Sequence, residues 1–201
     1  MRGYIWRGER SPCGATLTAS AYRRPAVEGE CAVYVVDSSP PDVLDWIVEW
    51  APVIEMHHFI FDRGGGEAPP AGGSATEIIC RNAIHAGIVE AEPSADRPRG
   101  RLRDLPAEAV CTVSVNGKVV GAQPLTELPG GPQGTVSWLK QRLDEAAAVG
   151  GEGSQGAAEA GLLRAPGTII LASSPCSLYT VKAGDEVLVT CVGAEVRCRF
   201  D

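Results

Sequence analysis

The stretch Val27-Glu28-Gly29-Glu30-Cys31-Ala32-Val33-Tyr34-Val35-Val36 constrains the fold more than any other part of the chain. Its second half is continuously apolar and rich in β-branched residues, the composition of a strand buried on both faces. On a strand, residues i and i+2 share a side, so Glu28 and Glu30 project together. Two hard oxygen ligands on one face make half of a site for a divalent cation such as Mg²⁺ or Mn²⁺. The same E-x-E spacing also occurs on solvated strand ends and turns, and spacing alone leaves both readings open.

With 201 residues, 44% hydrophobic and 21% charged, the chain is long enough to bury one sizeable core, and a single domain over 1–201 is the simplest count. A net charge of −7 argues against a nucleic-acid surface, which needs clustered Lys and Arg. The densest basic run, Arg97-Pro98-Arg99-Gly100-Arg101-Leu102-Arg103, has the Pro and Gly of an exposed loop. No apolar run reaches the roughly 18 residues of a membrane span, and no signal peptide is visible, which points to the cytoplasm. The seven cysteines are scattered, with no C-x-x-C pair, so zinc spacing is absent. They read as reduced core residues, with Cys176 on a loop-like segment the one candidate for reactivity.

Along the chain, short strands are expected at Tyr4 to Trp6 and Ala15 to Ala19. After the Glu28 strand, Ser38 or Ser39 can cap a helix that has Pro40 or Pro41 in its first turn. Val43, Leu44, Ile47, Val48 and Ala51 form its stripe, and Pro52 ends it. Val53 to Phe61 reads as a strand, 62–74 as a flexible Gly/Pro/Ala loop, Thr76 to Ala86 as weakly helical and Ile88 to Ala91 as a strand. Asn116-Gly117 between Ala109–Val115 and Lys118–Val120 is the strongest hairpin signal. A second helix is expected from Thr135 to Val149 and a flexible insertion over 150–161. Strands at Thr168–Ala172, Glu186–Val192 and Glu195–Phe200 close the chain. Trp46, Trp50 and Trp138 read as core residues on helices.

The order of these segments resembles the catalytic domain of the fumarylacetoacetate hydrolase superfamily, most of all its 2-oxopent-4-dienoate hydratase and 4-oxalocrotonate decarboxylase branch. Val27-Glu28-Gly29-Glu30-Cys31-Ala32 is similar to that branch's E-x-E strand, and Ile54-Glu55-Met56-His57-His58 stands where the family has Glu-Ile-x-Asp. Arg81-Asn82-Ala83 resembles Asp-Asn-Ala, and Gly131-Pro132 with Val136-Ser137-Trp138-Leu139 resembles Gly-x-Pro and Ala-Trp-Leu. Pro166-Gly167-Thr168-Ile169-Ile170-Leu171-Ala172-Ser173-Ser174 looks like Ala-Gly-x-Ile-Ile-Leu-Thr-Gly-Ser, Val181 to Val187 like the Gly-Asp turn, and Val196 to Phe200 like the terminal strand. The likeness runs from about Gly3 onward, without the helical domain that precedes the core in the hydratases.

The resemblance implies an α+β, mostly β fold: a mixed β-roll with two main helices. It implies metal-dependent lyase or hydrolase chemistry (hydratase, decarboxylase or C–C hydrolase type) on a small 2-oxo acid or 1,3-dicarbonyl acid, through a metal-stabilised enolate. It assigns Glu28, Glu30 and His58 as ligands of a divalent metal, Mg or Mn in the family. Since imidazole suits Mn²⁺, Fe²⁺ or Zn²⁺ better than Mg²⁺, His58 in place of Asp shifts that preference or abolishes metal binding. His57 and His58 alternate on a strand, so only one can face the site. Ser174 and Glu55 are the candidate catalytic groups, and Arg7, Asn82 and Ser174 the candidate substrate-binding ones. Ile5 stands where the hydratases carry a Lys, and Arg7 cannot shuttle protons as an amine does; Arg81 and Ser173 are further departures. These losses support an alternative, a non-catalytic protein of the same fold serving as a structural or heteromeric partner. The family likeness also implies a homo-oligomer or a hetero-oligomer with a relative.

Overall fold

The computed structural model describes residues 4–59, 82–91 and 97–201. Its architecture is α+β and mostly β, two mixed sheets packed face to face with two helices against one of them. The central strand is β3, Pro25–Asp37, buried almost throughout as its apolar run dictates. It pairs antiparallel with β4, Ile47–His58, over nearly its whole length, with a bulge at Val35/Asp37. The first sheet has the order β1-β5-β4-β3-β10, where β1 is Arg10–Pro12, β5 His85–Glu90 and β10 Tyr179–Thr180. Within it β6, Arg99–Arg101, also pairs with β4, and β9, Ile169–Ser173, with β3. The second sheet has the order β2-β12-β11-β7-β8: Thr16–Leu17, Ala194–Phe200, Glu186–Cys191, Val110–Val115 and Lys118–Pro124. Each sheet contains one parallel pair, β1 with β5 and β2 with β12.

Gly29 explains how the sheets approach. A Cβ there would lie 2.5 Å from Val113 Cγ2 on β7 and 3.2 Å from Val189 Cγ1 on β11. The face of β3 opposite Glu28 and Glu30 therefore presses on the second sheet, and only a residue without a side chain fits between the two carboxylates. Cys31 lies on the same face, buried with Cys111, Cys176, Cys191 and Cys198. These five and the half-buried Cys13 are free thiols, as expected of reduced core residues. Cys176 is buried, and its thiol donates to the Cys111 carbonyl at 3.5 Å.

The first expected helix does not form. Only Val43–Asp45 makes a single 3₁₀ turn, capped by Asp42 Oδ1 accepting the Leu44 N–H at 2.9 Å; the chain is extended from Trp46 and enters β4 at Ile47. Its apolar positions satisfy both periods, and pairing with β3 decides the outcome. Pro52 is tolerated inside β4 because its nitrogen points away from β3. On that side Trp50 N–H bonds the Pro98 carbonyl, β6 pairs residues 47–49 and β5 begins only at Val53. Trp46 and Trp50 are buried as expected, though not on a helix.

The Asn116-Gly117 hairpin forms with both residues left-handed, φ 53° and 76°, joining β7 to β8. Helix α1, Gly131–Gly150, contains the expected second helix and begins earlier, with Pro132 in its first turn. The segment 150–161, expected as a flexible loop, instead enters a second helix, α2, Gln155–Arg164. Ser154 Oγ accepts the Ala157 N–H at 3.2 Å as its cap, and Ala160 and Leu163 are buried. The closing strands fall within a residue or two of expectation. Tyr4 to Trp6 is not a strand, and only Thr16–Leu17 of the next expected one is. Of the weakly helical stretch, residues 76–81 lie outside the described residues; Asn82–Ile84 forms a left-handed turn and the chain is a strand from His85. The 62–74 loop and Arg81 likewise lie outside the described residues. No helix among the described residues is long and apolar enough to cross a membrane.

Candidate metal centre

The register of β3 with β4 assembles the site. Glu28 pairs with Glu55 and Ala26 with His57, so the period of two puts Glu28, Glu30, Glu55 and His57 on the face turned away from the second sheet. Ligand atoms of Glu28, Glu55 and His57 all lie within 4.8 Å of one another. His57 Nε2 is 3.2 Å from Glu28 Oε2 and 3.5 Å from Glu55 Oε2, with its side chain only 4% exposed. From β5, His85 Nδ1 lies 2.7 Å from Glu55 Oε1, and Ser174, just after β9, donates to Glu28 Oε2 at 3.1 Å. A bulge between Met56 and His57 brings His85 opposite His57.

His58 takes no part, which corrects the expected ligand set. It faces the other way, where its Nδ1 accepts the Arg23 N–H at 3.1 Å and its ring lies 5.7 Å from that of Tyr22. His57 holds the inward position because it is two residues from Glu55, and Glu55 is the residue registered opposite Glu28. Glu55, expected as a catalytic group, sits among the candidate ligands. His85 was not foreseen: it lies in the stretch expected to be helical, and a strand reading from residue 85 is needed to aim it at Glu55.

The electrostatics follow from burial and crowding. Glu30 is 5% exposed, and burial, reinforced by the carboxylates of Glu55 and Glu28, raises its carboxyl well above the usual range. Burial pushes Glu55 the same way, but His57 and His85 outweigh it and hold Glu55 below the usual range. Burial would lower the imidazolium of His57; the neighbouring Glu28 and Glu55 prevail and raise its pKa to about 9. The ion-pair contacts of His57 lack hydrogen-bond direction. Neither of its ring nitrogens has a hydrogen-bond partner among the described residues, and the same holds for His85 Nε2. A buried nitrogen 3.2 and 3.5 Å from two carboxylates without a hydrogen bond to either fits a cation placed among all three.

Glu30, Glu55, His85 and Ser174 line a cleft of about 710 Å³. Ile5 and Arg7 of the N-terminal segment, Trp138 of α1, Leu162 of α2 and Ile170 of β9 also line it. Trp138, expected in the core, is 40% exposed. Arg7 is exposed at the start of a 3₁₀ turn. Asn82 also lines the cleft, but its side chain is committed: Oδ1 accepts the Tyr4 N–H and Nδ2 donates to the Tyr4 carbonyl, both at 2.7 Å. This pairing ties the N-terminal segment to the left-handed turn Asn82–Ile84, where three successive residues have φ between 50° and 60°. Tyr4 Oη in turn donates to Glu159 of α2 at 2.5 Å.

No protein-family model matches the chain, and no curated protein matches it in sequence. Solved structures do match in shape. 4-Oxalocrotonate decarboxylase from Pseudomonas putida G7, complexed with magnesium and adipate, superposes with a TM-score of 0.72 at 19% identity, over 99% of this chain and 69% of that one. A 2-hydroxyhepta-2,4-diene-1,7-dioate isomerase from Mycobacterium marinum gives 0.62 at 14% identity, covering 96% and 65%. Fumarylpyruvate hydrolase from Pseudomonas aeruginosa, in complex with Mn²⁺ and pyruvate, gives 0.59 at 13% identity, covering 95% and 73%. The chain thus shares the fold of these solved structures, among them 4-oxalocrotonate decarboxylase, which belongs to the branch that its sequence resembles.

Proposed function

We propose that this protein is a metal-dependent lyase or hydrolase acting on a small 2-oxo acid or 1,3-dicarbonyl acid. The observation that carries the reading is the largely buried Glu28–Glu55–His57 group, whose Glu55 lines the cleft together with Glu30 from the same face. The fold adds to it, because among the structural neighbours a decarboxylase is complexed with magnesium and a hydrolase with Mn²⁺ and pyruvate. When bound, a divalent cation supplies Lewis-acid stabilisation for negative charge developing on the 2-oxo oxygen.

The chain's own residues do the rest. Ser174 fixes the Glu28 carboxylate. Arg7, at the rim, attracts the substrate carboxylate as a fixed positive charge. Asn82 anchors Tyr4 and with it the wall that carries Ile5, rather than bonding substrate through its side chain. With Ile5 in place of an amine, the cleft groups able to hold or give a proton include Glu30, whose carboxyl is raised by burial, His85 at Nε2 and the Tyr4 hydroxyl, which donates to Glu159.

Thermal melting of chelator-stripped protein tests the reading. Added Mn²⁺ or Mg²⁺ is expected to raise Tm by mass action, and oxalate, an enolpyruvate mimic, to enlarge the rise. Glu28→Ala and Glu55→Ala are each expected to abolish both effects. The absence of a shift with any ion would sink the enzyme reading and favour the second one, a partner protein of the same fold, for which Ile5 in the cleft wall is the supporting observation.

A further inference from the structure

We infer that His57 is itself a ligand, through Nε2, and that the centre thereby selects a first-row transition dication over Mg²⁺ or Ca²⁺. The inference rests on the metal-dependent reading above and adds the ion's chemical class to it.

Three observations converge on it. The first is spacing. Bonds of about 2.1 Å to one ion hold neighbouring ligand atoms roughly 3.0 Å apart in an octahedron and 3.4 Å apart in a tetrahedron. His57 Nε2 stands 3.2 Å from Glu28 Oε2 and 3.5 Å from Glu55 Oε2, close to those edges, and ligand atoms of all three residues lie within 4.8 Å of one another. The second is orientation. At 4% exposure His57 is almost wholly withdrawn from water, yet its Nε2 bonds neither carboxylate nor any other described group. Ligand atoms around an ion point at the ion and not at each other, which is this arrangement. The third is support from behind. His85 Nδ1 holds Glu55 Oε1 at 2.7 Å, which leaves Oε2 for the ion, while Ser174 Oγ holds Glu28. Such fixing of ligands by outer partners is what sets a metal site's geometry.

Chemistry then chooses the ion. Mg²⁺ and Ca²⁺ take oxygen ligands, and Mg²⁺ gives up water reluctantly. An imidazole nitrogen among carboxylates suits Mn²⁺, Fe²⁺, Co²⁺ or Zn²⁺. The sequence carried half of this through the His57-His58 pair, and the strand register decides which of the two acts.

The test uses Co²⁺ as a visible probe on the chelator-stripped full chain. In the wild type, Co²⁺ should bring a hyperfine-shifted, exchangeable imidazole N–H resonance into the proton NMR spectrum. Competition should show Co²⁺ displaced only by a large excess of Mg²⁺. His57→Asp, which makes the ligand set all-oxygen, should remove that resonance and lower the Co²⁺-over-Mg²⁺ preference at least about tenfold. His58→Gln should change neither. Bound Co²⁺ without the shifted imidazole signal, or equal Mg²⁺ competition in wild type and His57→Asp, overturns the inference and leaves the metal-dependent reading standing. If no ion binds the wild type, both fall. The wild-type spectrum decides even if His57→Asp fails to fold.

Discussion

Without a bound ion, His57 is favoured in its protonated form by the carboxylates beside it, and its protonation is linked to folding. Its pKa rises from an ordinary value near 6.5 to about 9 in the metal-free fold, so the stability it contributes is fully present below pH 6.5 and is lost as pH climbs through 9. Glu30, whose carboxyl is also raised, acts with the same sign from the mid-acid range upward. Glu55, held low, acts oppositely and only in acid. Urea melts of metal-free protein should therefore lose on the order of 3 kcal/mol between pH 6.5 and 9. His57→Gln should flatten most of that slope. At this scale the sequence was half legible: Glu28-x-Glu30 announced the shared face, while the choice of His57 over His58 needed the period of two counted from Glu55. His85 was hidden, because the residues before it gave no strand signal and three of them adopt φ values that their side chains disfavour.

Among the elements, those with a strong local signal formed where the sequence placed them: the β3 run, the Asn-Gly hairpin, the closing strands and α1. The misreadings have physical causes. Residues 43–51 carry apolar side chains that suit either a helical or an extended period, and the long pairing with β3 wins. The segment that enters α2 is rich in Gly and Ala and has little apolar stripe of its own; capping by Ser154 and packing against α1 make it helical. Gly29 offers a direct measurement of the contact between sheets. Gly29→Ala sets a methyl against Val113 and Val189, and it is expected to cost about 1–3 kcal/mol in urea melts. A Val113→Ala change made with it should recover part of that loss, where independent sites would only add.

In the molecule as a whole, the N-terminal segment is locked at two places. β1 runs parallel to β5 beside the cleft, and β2 runs parallel to β12 at the opposite end of the chain. The Ala19 N–H bonds the Asp201 carbonyl at 2.9 Å and the Asp201 N–H the Leu17 carbonyl at 3.0 Å. Removing residues 194–201 therefore strips both β11 and β2 of a partner and takes buried Val196, Cys198 and Phe200 out of the core. The truncated chain is expected to lose its cooperative thermal transition in circular dichroism. Pairings this distant along the chain are invisible to local pattern, so the sequence and its family likeness reached the mixed β-roll but not the order of its strands.

Because β3 is a wall shared between the cleft and the sheet behind it, its residues answer to two masters by parity. Even positions such as 28 and 30 are judged by what they hold, and odd ones such as 27, 29 and 31 by how closely the sheets can approach. Drift in this strand must proceed in alternate steps. A lineage that exchanged its ligands would still carry the small residue between them, because the sheet behind, and not the ligands, requires it.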